Sequence, residues 1–121
     1  EYRFGDLLYG LILPSGNDIA RVIDWELKKK DLEYTTLAEK WAEKQNLENS
    51  RFQDPIGLSA STSSNAKDLW KVLNIVYQND TLYEILNTES YNLISRNKRE
   101  VNVKTRNPIL EYKRYFIRGK T

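Results

Sequence analysis

The spacing of apolar residues changes once along the chain, and this change constrains the fold more than any other feature. Before Ser90, apolar side chains recur every three or four positions in five separate stretches, which is the helical period. After Ser90, Val101 and Val103 alternate with polar residues, as in a strand. The sequence therefore predicts an α+β fold, a helical subdomain followed by a small antiparallel sheet.

The predicted elements divide the chain into helices, one loop and strands. The five helical stretches begin near Phe4, Ile19, Leu37, Leu69 and Leu82. Residues 46–64 are rich in Asn, Ser, Pro and Gly and predict an ordered loop. Residues 96–99 predict a hairpin tip, and residues 112–116 predict a third strand. We expect one segment of a single domain over residues 1–121, mainly helical over 1–90 and with strands over 91–121.

Composition limits the chemistry open to the chain. Its 121 residues, of which 40% are hydrophobic, allow about one domain with a modest core. The net charge of +2 provides no strong field, so no nucleic-acid partner is expected. Because the chain has no Cys and no His, we expect no metal site, and proton transfer must use carboxylates, Lys, Tyr or hydroxyls. No apolar run approaches the roughly 20 residues of a membrane span.

The junction of the first two predicted helices carries a hydroxyl, a glycine and an amide, namely Ser15, Gly16 and Asn17. Pro14 ends the first helix, and either Ser15 or Asn17 could cap the second by accepting hydrogen bonds from its unpaired N–H groups. Alternatively, Ser15 and Asn17 lie in a cleft and contact a substrate amide. These three residues alone do not distinguish the two interpretations.

The longer sequence around this junction resembles a known enzyme family. The string DLLYGLILPSGNDIA resembles the S-x-N segment of penicillin-binding proteins, in particular the low-molecular-mass serine D-alanyl-D-alanine carboxypeptidases. The strings NLENSRFQDPIGLS and SSNAKDL resemble the segments that follow it in that family, and Gly119-Lys120-Thr121 resembles the start of the family's K-T-G motif. The resemblance covers essentially the whole chain and implies part of the penicillin-binding-protein/serine β-lactamase-like fold.

The resemblance also implies that some of the catalytic residues lie elsewhere. In the family the nucleophilic serine belongs to an S-x-x-K motif that precedes S-x-N, whereas here one predicted helix without serine precedes Ser15. The final Gly of K-T-G is missing after Thr121, and the chain contains no Met. The sequence is therefore expected to be an internal segment of a larger enzyme, inactive by itself.

Three further matches to the family motifs are expected to be coincidental. Ser64 and Ser95 each begin a literal S-x-x-K, but both follow the S-x-N motif instead of preceding it. Ser64 is expected to cap a helix, and Ser95 to enter the hairpin. Lys104-Thr105 repeats the first residues of K-T-G but is followed by Arg106, so Lys120-Thr121 is preferred.

The resemblance assigns catalytic roles to Ser15, Asn17 and Lys120 and substrate binding to Gly16 and Thr121. Ser15 would pass a proton to the leaving amine, and Asn17 would hold the substrate amide. Gly16 would let the backbone turn without a Cβ in the cleft. Lys120 and Thr121 would bind the substrate's terminal carboxylate, and no cofactor is implied.

The resemblance implies the stem peptide of peptidoglycan as substrate, β-lactam antibiotics as ligands and a location outside the cytoplasm. A non-catalytic peptidoglycan-binding module with the same fold is the main alternative. A third interpretation concerns basic residues of the hairpin region, which could bind an anionic polymer or lipid head groups or could simply be solvated. These residues are Arg96, Lys98, Arg99, Lys104 and Arg106. The tryptophans Trp25, Trp41 and Trp70 are expected to be core residues instead of a sugar-binding platform.

Overall fold

A computed structural model describes residues 1–108 of the chain, which form five helices and one hairpin. The helices are α1 (Phe4–Ile12), α2 (Asn17–Lys28), α3 (Tyr34–Lys44), α4 (Ala66–Tyr77) and α5 (Asp80–Leu86). The strands are β1 (Ser90–Ile94) and β2 (Glu100–Lys104). The predicted order of helices followed by an antiparallel hairpin is confirmed. The third strand predicted over residues 112–116 lies outside the described residues.

The described chain divides into two compact units. One unit contains Glu1–Ile19 and the described residues from Asn79 onward, and the other contains Ala20–Gln78. In the first unit, α1 packs against β1 and α5. Its buried hydrophobic residues are Leu13, Ile85, Leu86 and Leu93.

The hairpin of the first unit has a regular register and a tight tip. Ser90 pairs with Lys104 at its open end, and Ile94 pairs with Glu100 at the tip. Beyond Ile94, the backbone N–H of Ser95 donates to Arg99 O at 2.9 Å, and the Arg99 N–H donates to Ser95 Oγ at 2.9 Å. The nearly buried Ser95 hydroxyl therefore closes the turn, as its position at the predicted tip indicates.

The loop of the second unit is ordered, as its composition predicts. Arg51 and Ser63 form an isolated antiparallel bridge with backbone hydrogen bonds of 2.7 and 3.0 Å. Within the loop, the Asp54 carboxylate accepts hydrogen bonds from the backbone N–H groups of Ile56, at 2.7 Å, and Ser59, at 2.5 Å. These bonds close a local turn that needs no regular secondary structure.

A buried carboxylate joins the start of this loop to α4. Asp68 is 1% exposed and accepts hydrogen bonds from the Asn49 N–H at 2.8 Å and the Ser50 hydroxyl at 3.0 Å. The expectation that Ser64 caps α4 is wrong. Asn65 is the cap, because its side chain accepts the Asp68 N–H at 2.8 Å, whereas the Ser64 hydroxyl forms a hydrogen bond with that of Ser50.

Acid is expected to weaken the second unit through its two hydrogen-bonded aspartates. Burial alone raises the pKa of Asp68, but the bonds from Asn49 and Ser50 and the Lys71 ammonium at 3.8 Å outweigh it and lower the pKa. The pKa of Asp54 is lowered because backbone N–H bonds outweigh its desolvation in the same way. A carboxyl whose folded-state pKa is lowered stabilises the fold above its unfolded-state value of about 4. That stabilisation is lost as the pH falls through the folded-state pKa.

Urea denaturation of the 121-residue chain between pH 7 and pH 3 tests this expectation. The quantity compared is the urea concentration at which half of the chain is unfolded. We expect this urea concentration to decrease once the pH is below about 4. Asp68→Asn should lower the midpoint at pH 7, because the buried acceptor loses its charge, and should reduce the further loss in acid. Equal pH dependence for Asp68→Asn and the wild-type chain would contradict this role of Asp68.

The expectation that the three tryptophans are core residues is wrong. Trp25, Trp41 and Trp70 are 57%, 38% and 64% exposed. Two residues along a helix correspond to a rotation of about 200°, so Trp70 lies on the opposite side of α4 from the buried Asp68. Trp25 is similarly placed across α2 from Ile23, and the Lys29 ammonium lies 3.3 Å from the centre of its ring. A tryptophan that is close in sequence to the apolar residues of a helix is therefore not necessarily buried.

Candidate active site

The turn between α1 and α2 has the geometry of a helix C-terminus with a left-handed residue. The Leu13 N–H donates to Tyr9 O at 2.9 Å, and the Gly16 N–H reaches back to Leu11 O at 3.2 Å. Between them, Ser15 has a φ of 57°. The bond from Gly16 to Leu11 spans six residues and encloses a left-handed residue, which is the Schellman arrangement of a helix C-terminus. Glycine is usual at the left-handed position because it has no Cβ. Serine stands here at a conformational cost that glycine would avoid.

Gly16 is required at this turn for close packing. A Cβ on Gly16 would lie 2.5 Å from the carbonyl oxygen of Gly10, within α1. Gly10 is itself buried, and a Cβ there would overlap the end of the Ile19 side chain. Because Gly10 and Gly16 have no Cβ, the turn can pass directly against α1. The expected role for Gly16, a backbone without a Cβ in the cleft, stays a prediction.

Asn17 is exposed and is the first residue of α2. Gly16, which has no side chain, immediately precedes the helix. An exposed amide at the start of α2 is open to contact from a ligand. Contact between Asn17 and a substrate amide stays a prediction.

The chain that follows β2 returns to this turn. The Arg106 N–H donates to Leu13 O at 3.0 Å, and Leu13 is 2% exposed. The adjacent Asn107 is also buried, and its N–H donates to Thr105 Oγ1 at 3.1 Å. These contacts fix the turn against the end of the hairpin. Lys120 and Thr121, the other predicted site residues, lie outside the described residues.

Two tyrosines that sequence reasoning did not single out hold α1 in place. The rings of Tyr9 and Tyr91 stack with centroids 3.8 Å apart and planes 8° apart. Tyr9 donates to Glu84 Oε1 at 3.2 Å, and Tyr91 donates to Asp6 Oδ1 at 2.8 Å. Hydrogen bonding to Asp6 and desolvation raise the pKa of Tyr91, so its phenol remains a donor at neutral pH. No sequence signal identified this pair, because its members are 82 residues apart.

The basic residues of the hairpin region lie at its two ends. Arg96, Lys98 and Arg99 are at the tip, whereas Lys104 is the last paired residue at the opposite end of the ladder and Arg106 follows it. Four residues of strand lie between Arg99 and Lys104, which places their Cα atoms about 17 Å apart. Arg96 is also paired with Glu1 at 2.9 Å. The backbone placement thus gives no single continuous basic face.

Within the described part of the chain, no helix is long and apolar enough to cross a membrane, and no cluster of three or more potential metal-ligating side chains occurs.

Comparison with known proteins gives a family and a fold. The family model for D-alanyl-D-alanine carboxypeptidases matches residues 1–121. A mutant of the Streptomyces K15 DD-transpeptidase is similar in structure, with a TM-score of 0.80 and 22% identity, over 93% of this chain and 48% of that one. A D-alanyl-D-alanine carboxypeptidase from Mycobacterium tuberculosis has a TM-score of 0.75 and 24% identity, over 89% of this chain and 41% of that one. This chain thus spans about half the length of the solved structures. The comparison with curated proteins gave no match.

Proposed function

Since this chain belongs to the D-alanyl-D-alanine carboxypeptidase family, we propose that the protein containing it is a serine-type carboxypeptidase of peptidoglycan. It removes the terminal D-Ala from stem peptides outside the cytoplasm and is acylated by penicillins. The observation that carries the proposal is the family match over the whole chain, which includes the ordered turn bearing Ser15, Gly16 and Asn17.

The reaction proceeds through an acyl-enzyme. The hydroxyl oxygen of the serine in an S-x-x-K motif attacks the carbonyl carbon between the two D-Ala residues. The C–N bond breaks, the serine ester forms, and the departing D-Ala takes up a proton at its amine. Water then hydrolyses the ester and restores the serine. A penicillin acylates the same serine when its lactam C–N bond opens.

Ser15 and Asn17 contact the departing amine and the substrate amide in this reaction. The Ser15 hydroxyl both donates and accepts hydrogen bonds, so it can pass the proton to the departing amine. Ser15 has a left-handed backbone, in which glycine would be less strained. The presence of serine at this position therefore supports a role for its hydroxyl. The Asn17 amide holds the substrate amide from the first turn of α2.

Lys120 and Thr121 bind the terminal carboxylate of the substrate. The Lys120 ammonium supplies a positive field, and the Thr121 hydroxyl donates a hydrogen bond. A cation at this position also lowers the pKa of a neighbouring lysine, which lets the lysine of S-x-x-K act as a base in a site without histidine. The proposal includes no cofactor.

Labelling with a fluorescent penicillin tests the proposal. A longer polypeptide, in which this chain follows an S-x-x-K segment of the family, is expected to be labelled, whereas the 121 residues alone are not. In the longer polypeptide, Asn17→Ala should slow labelling at least about a hundredfold, as loss of a preorganised hydrogen-bonding group typically does. Asn97→Ala, at the exposed hairpin tip, is the matched control and should leave the rate unchanged.

Mass spectrometry identifies the labelled serine. A stable adduct on Ser15, Ser64 or Ser95 would overturn the assignment of the nucleophile. An unlabelled longer polypeptide that still binds peptidoglycan would refute the catalytic proposal in favour of the non-catalytic binding module.

A further inference from the structure

Two residues on one face of β1 contact α1. Alternate residues of a strand point to the same side, so Tyr91 and Leu93 share the face that meets α1. The Tyr91 ring stacks on the Tyr9 ring, with centroids 3.8 Å apart. Leu93 is buried, and a Cβ added to Gly10 would lie 3.2 Å from its Cδ1 atom. Two consecutive residues of α1 therefore rest on two alternate residues of β1.

The stacked pair is fixed at both hydroxyl groups. Tyr91 donates to Asp6 Oδ1 at 2.8 Å, and Asp6 lies on α1 three residues before Tyr9. Tyr9 donates to Glu84 Oε1 of α5 at 3.2 Å. A ring that is held by its face and by its hydroxyl cannot slide or rotate without breaking one of these contacts. The pair thus sets the position of α1 against β1 and α5.

The same two residues of α1 also carry the turn that bears Ser15. The backbone oxygen of Tyr9 accepts the Leu13 N–H at 2.9 Å, which closes the end of the helix. Gly16 lies so close to the Gly10 carbonyl oxygen that a Cβ on Gly16 would be 2.5 Å from it. A displacement of these two residues of α1 therefore moves the turn through direct contacts.

We propose that Tyr91 is a positioning residue for the acyl transfer, because its ring and hydroxyl hold α1 against β1 and thereby fix Ser15 and Asn17. This role presupposes the proposed carboxypeptidase function. Tyr91 acts on the reaction through α1 and the turn, and its own contacts are with Tyr9 and Asp6. A displacement of about 1 Å at a reacting group can slow a reaction about a hundredfold, so the loss of such a contact affects the rate as well as the stability.

Hydrogen exchange in the 121-residue chain measures how firmly the turn is held. In Tyr91→Leu, the Gly16 N–H should exchange about tenfold faster, the effect of losing one aromatic pair and its hydrogen bond. Tyr91→Phe keeps the ring and loses only the bond to Asp6, so the increase should be about threefold. The backbone N–H of Gln45, at the end of α3, is the reference and should change less than about twofold.

Penicillin acylation of the longer polypeptide that carries an S-x-x-K segment measures the catalytic consequence. Tyr91→Leu should lower the acylation rate at saturating penicillin about tenfold and change the half-saturating concentration less than about threefold. Tyr91→Phe should recover most of the rate. A merely structural role would lower the urea midpoint and leave the rate of the folded molecules unchanged. Tyr34→Leu, the same replacement at the start of α3 in the second unit, is the matched control and should keep the rate within about twofold.

Two results would overturn this role of Tyr91. One is a Gly16 exchange rate that rises no more than that of Gln45, and the other is an acylation rate no slower in Tyr91→Leu than in Tyr34→Leu. If Tyr91→Leu does not fold, the exchange comparison in Tyr91→Phe decides, because this variant keeps the stacked ring. An unsubstituted longer polypeptide that penicillin does not label would refute the carboxypeptidase proposal. The exchange measurement needs no penicillin, so it distinguishes that failure from a failure of Tyr91 to hold the turn.

Discussion

Gly16→Ala is expected to lower the free energy of unfolding of the chain by about 1–3 kcal/mol, the usual cost of adding a methyl group where there is no space. The new Cβ would lie 2.5 Å from the Gly10 carbonyl oxygen and 3.2 Å from Asp18 Oδ1. The carbonyl belongs to the hydrogen-bonded backbone of α1, so it cannot move aside without disturbing the helix. The turn must shift instead, and Ser15 and Asn17 shift with it. Urea denaturation of the 121-residue chain measures the loss.

Gly5→Ala is the matched control for this substitution. Gly5 lies in the first turn of α1, and a Cβ there would have nothing within 4 Å. Because alanine favours helix over glycine, Gly5→Ala should stabilise the chain by about 0.5–1 kcal/mol. The same chemical change at these two glycines thus has opposite expected effects on the free energy of unfolding. Equal urea midpoints for Gly16→Ala and the wild-type chain would show that the turn does not pass against α1 as described.

Lys120→Ala is expected to slow penicillin acylation at least about a hundredfold in the longer polypeptide that carries an S-x-x-K segment. The proposed role of Lys120 is electrostatic, because its positive charge would favour both the nucleophile's proton transfer and binding of the substrate carboxylate. Removing such a charge from a preorganised site raises the barrier without changing the nucleophile itself. Stopped-flow measurement of the acylation rate gives the effect directly.

Lys104→Ala distinguishes between the two Lys-Thr pairs of the sequence. Lys104 is exposed at the end of β2, so its replacement should change stability by about 0.5 kcal/mol or less and leave acylation nearly intact. If Lys120→Ala acylates as fast as the unsubstituted polypeptide, Lys120 and Thr121 do not belong to the active site. A large effect of Lys104→Ala would instead move the site to the first pair.

The local pattern of the sequence determined the order and type of the described elements. The spacing from Leu7 to Ile12 and from Ile19 to Leu27 predicts α1 and α2, because a helix needs one apolar stripe to pack. The alternation at Val101 and Val103 predicts β2 for the corresponding reason in a sheet. The motif string around Ser15 also pointed to the carboxypeptidase family, which the family match confirms.

Tertiary structure alone decided how the turn is built and which side chains are buried. The left-handed conformation of Ser15 and the contact between Gly16 and Gly10 arise where two helices meet, and no local propensity encodes them. Asp68 is buried because Asn49 and Ser50 satisfy its charge, although its sequence position indicates only a charge near a helix start. Trp70, on the same helix, is exposed because burial depends on which faces of a helix its neighbours cover. These contacts depend on how the helices and loops pack against one another, whereas periodicity describes the residue pattern within a single element and does not predict such packing.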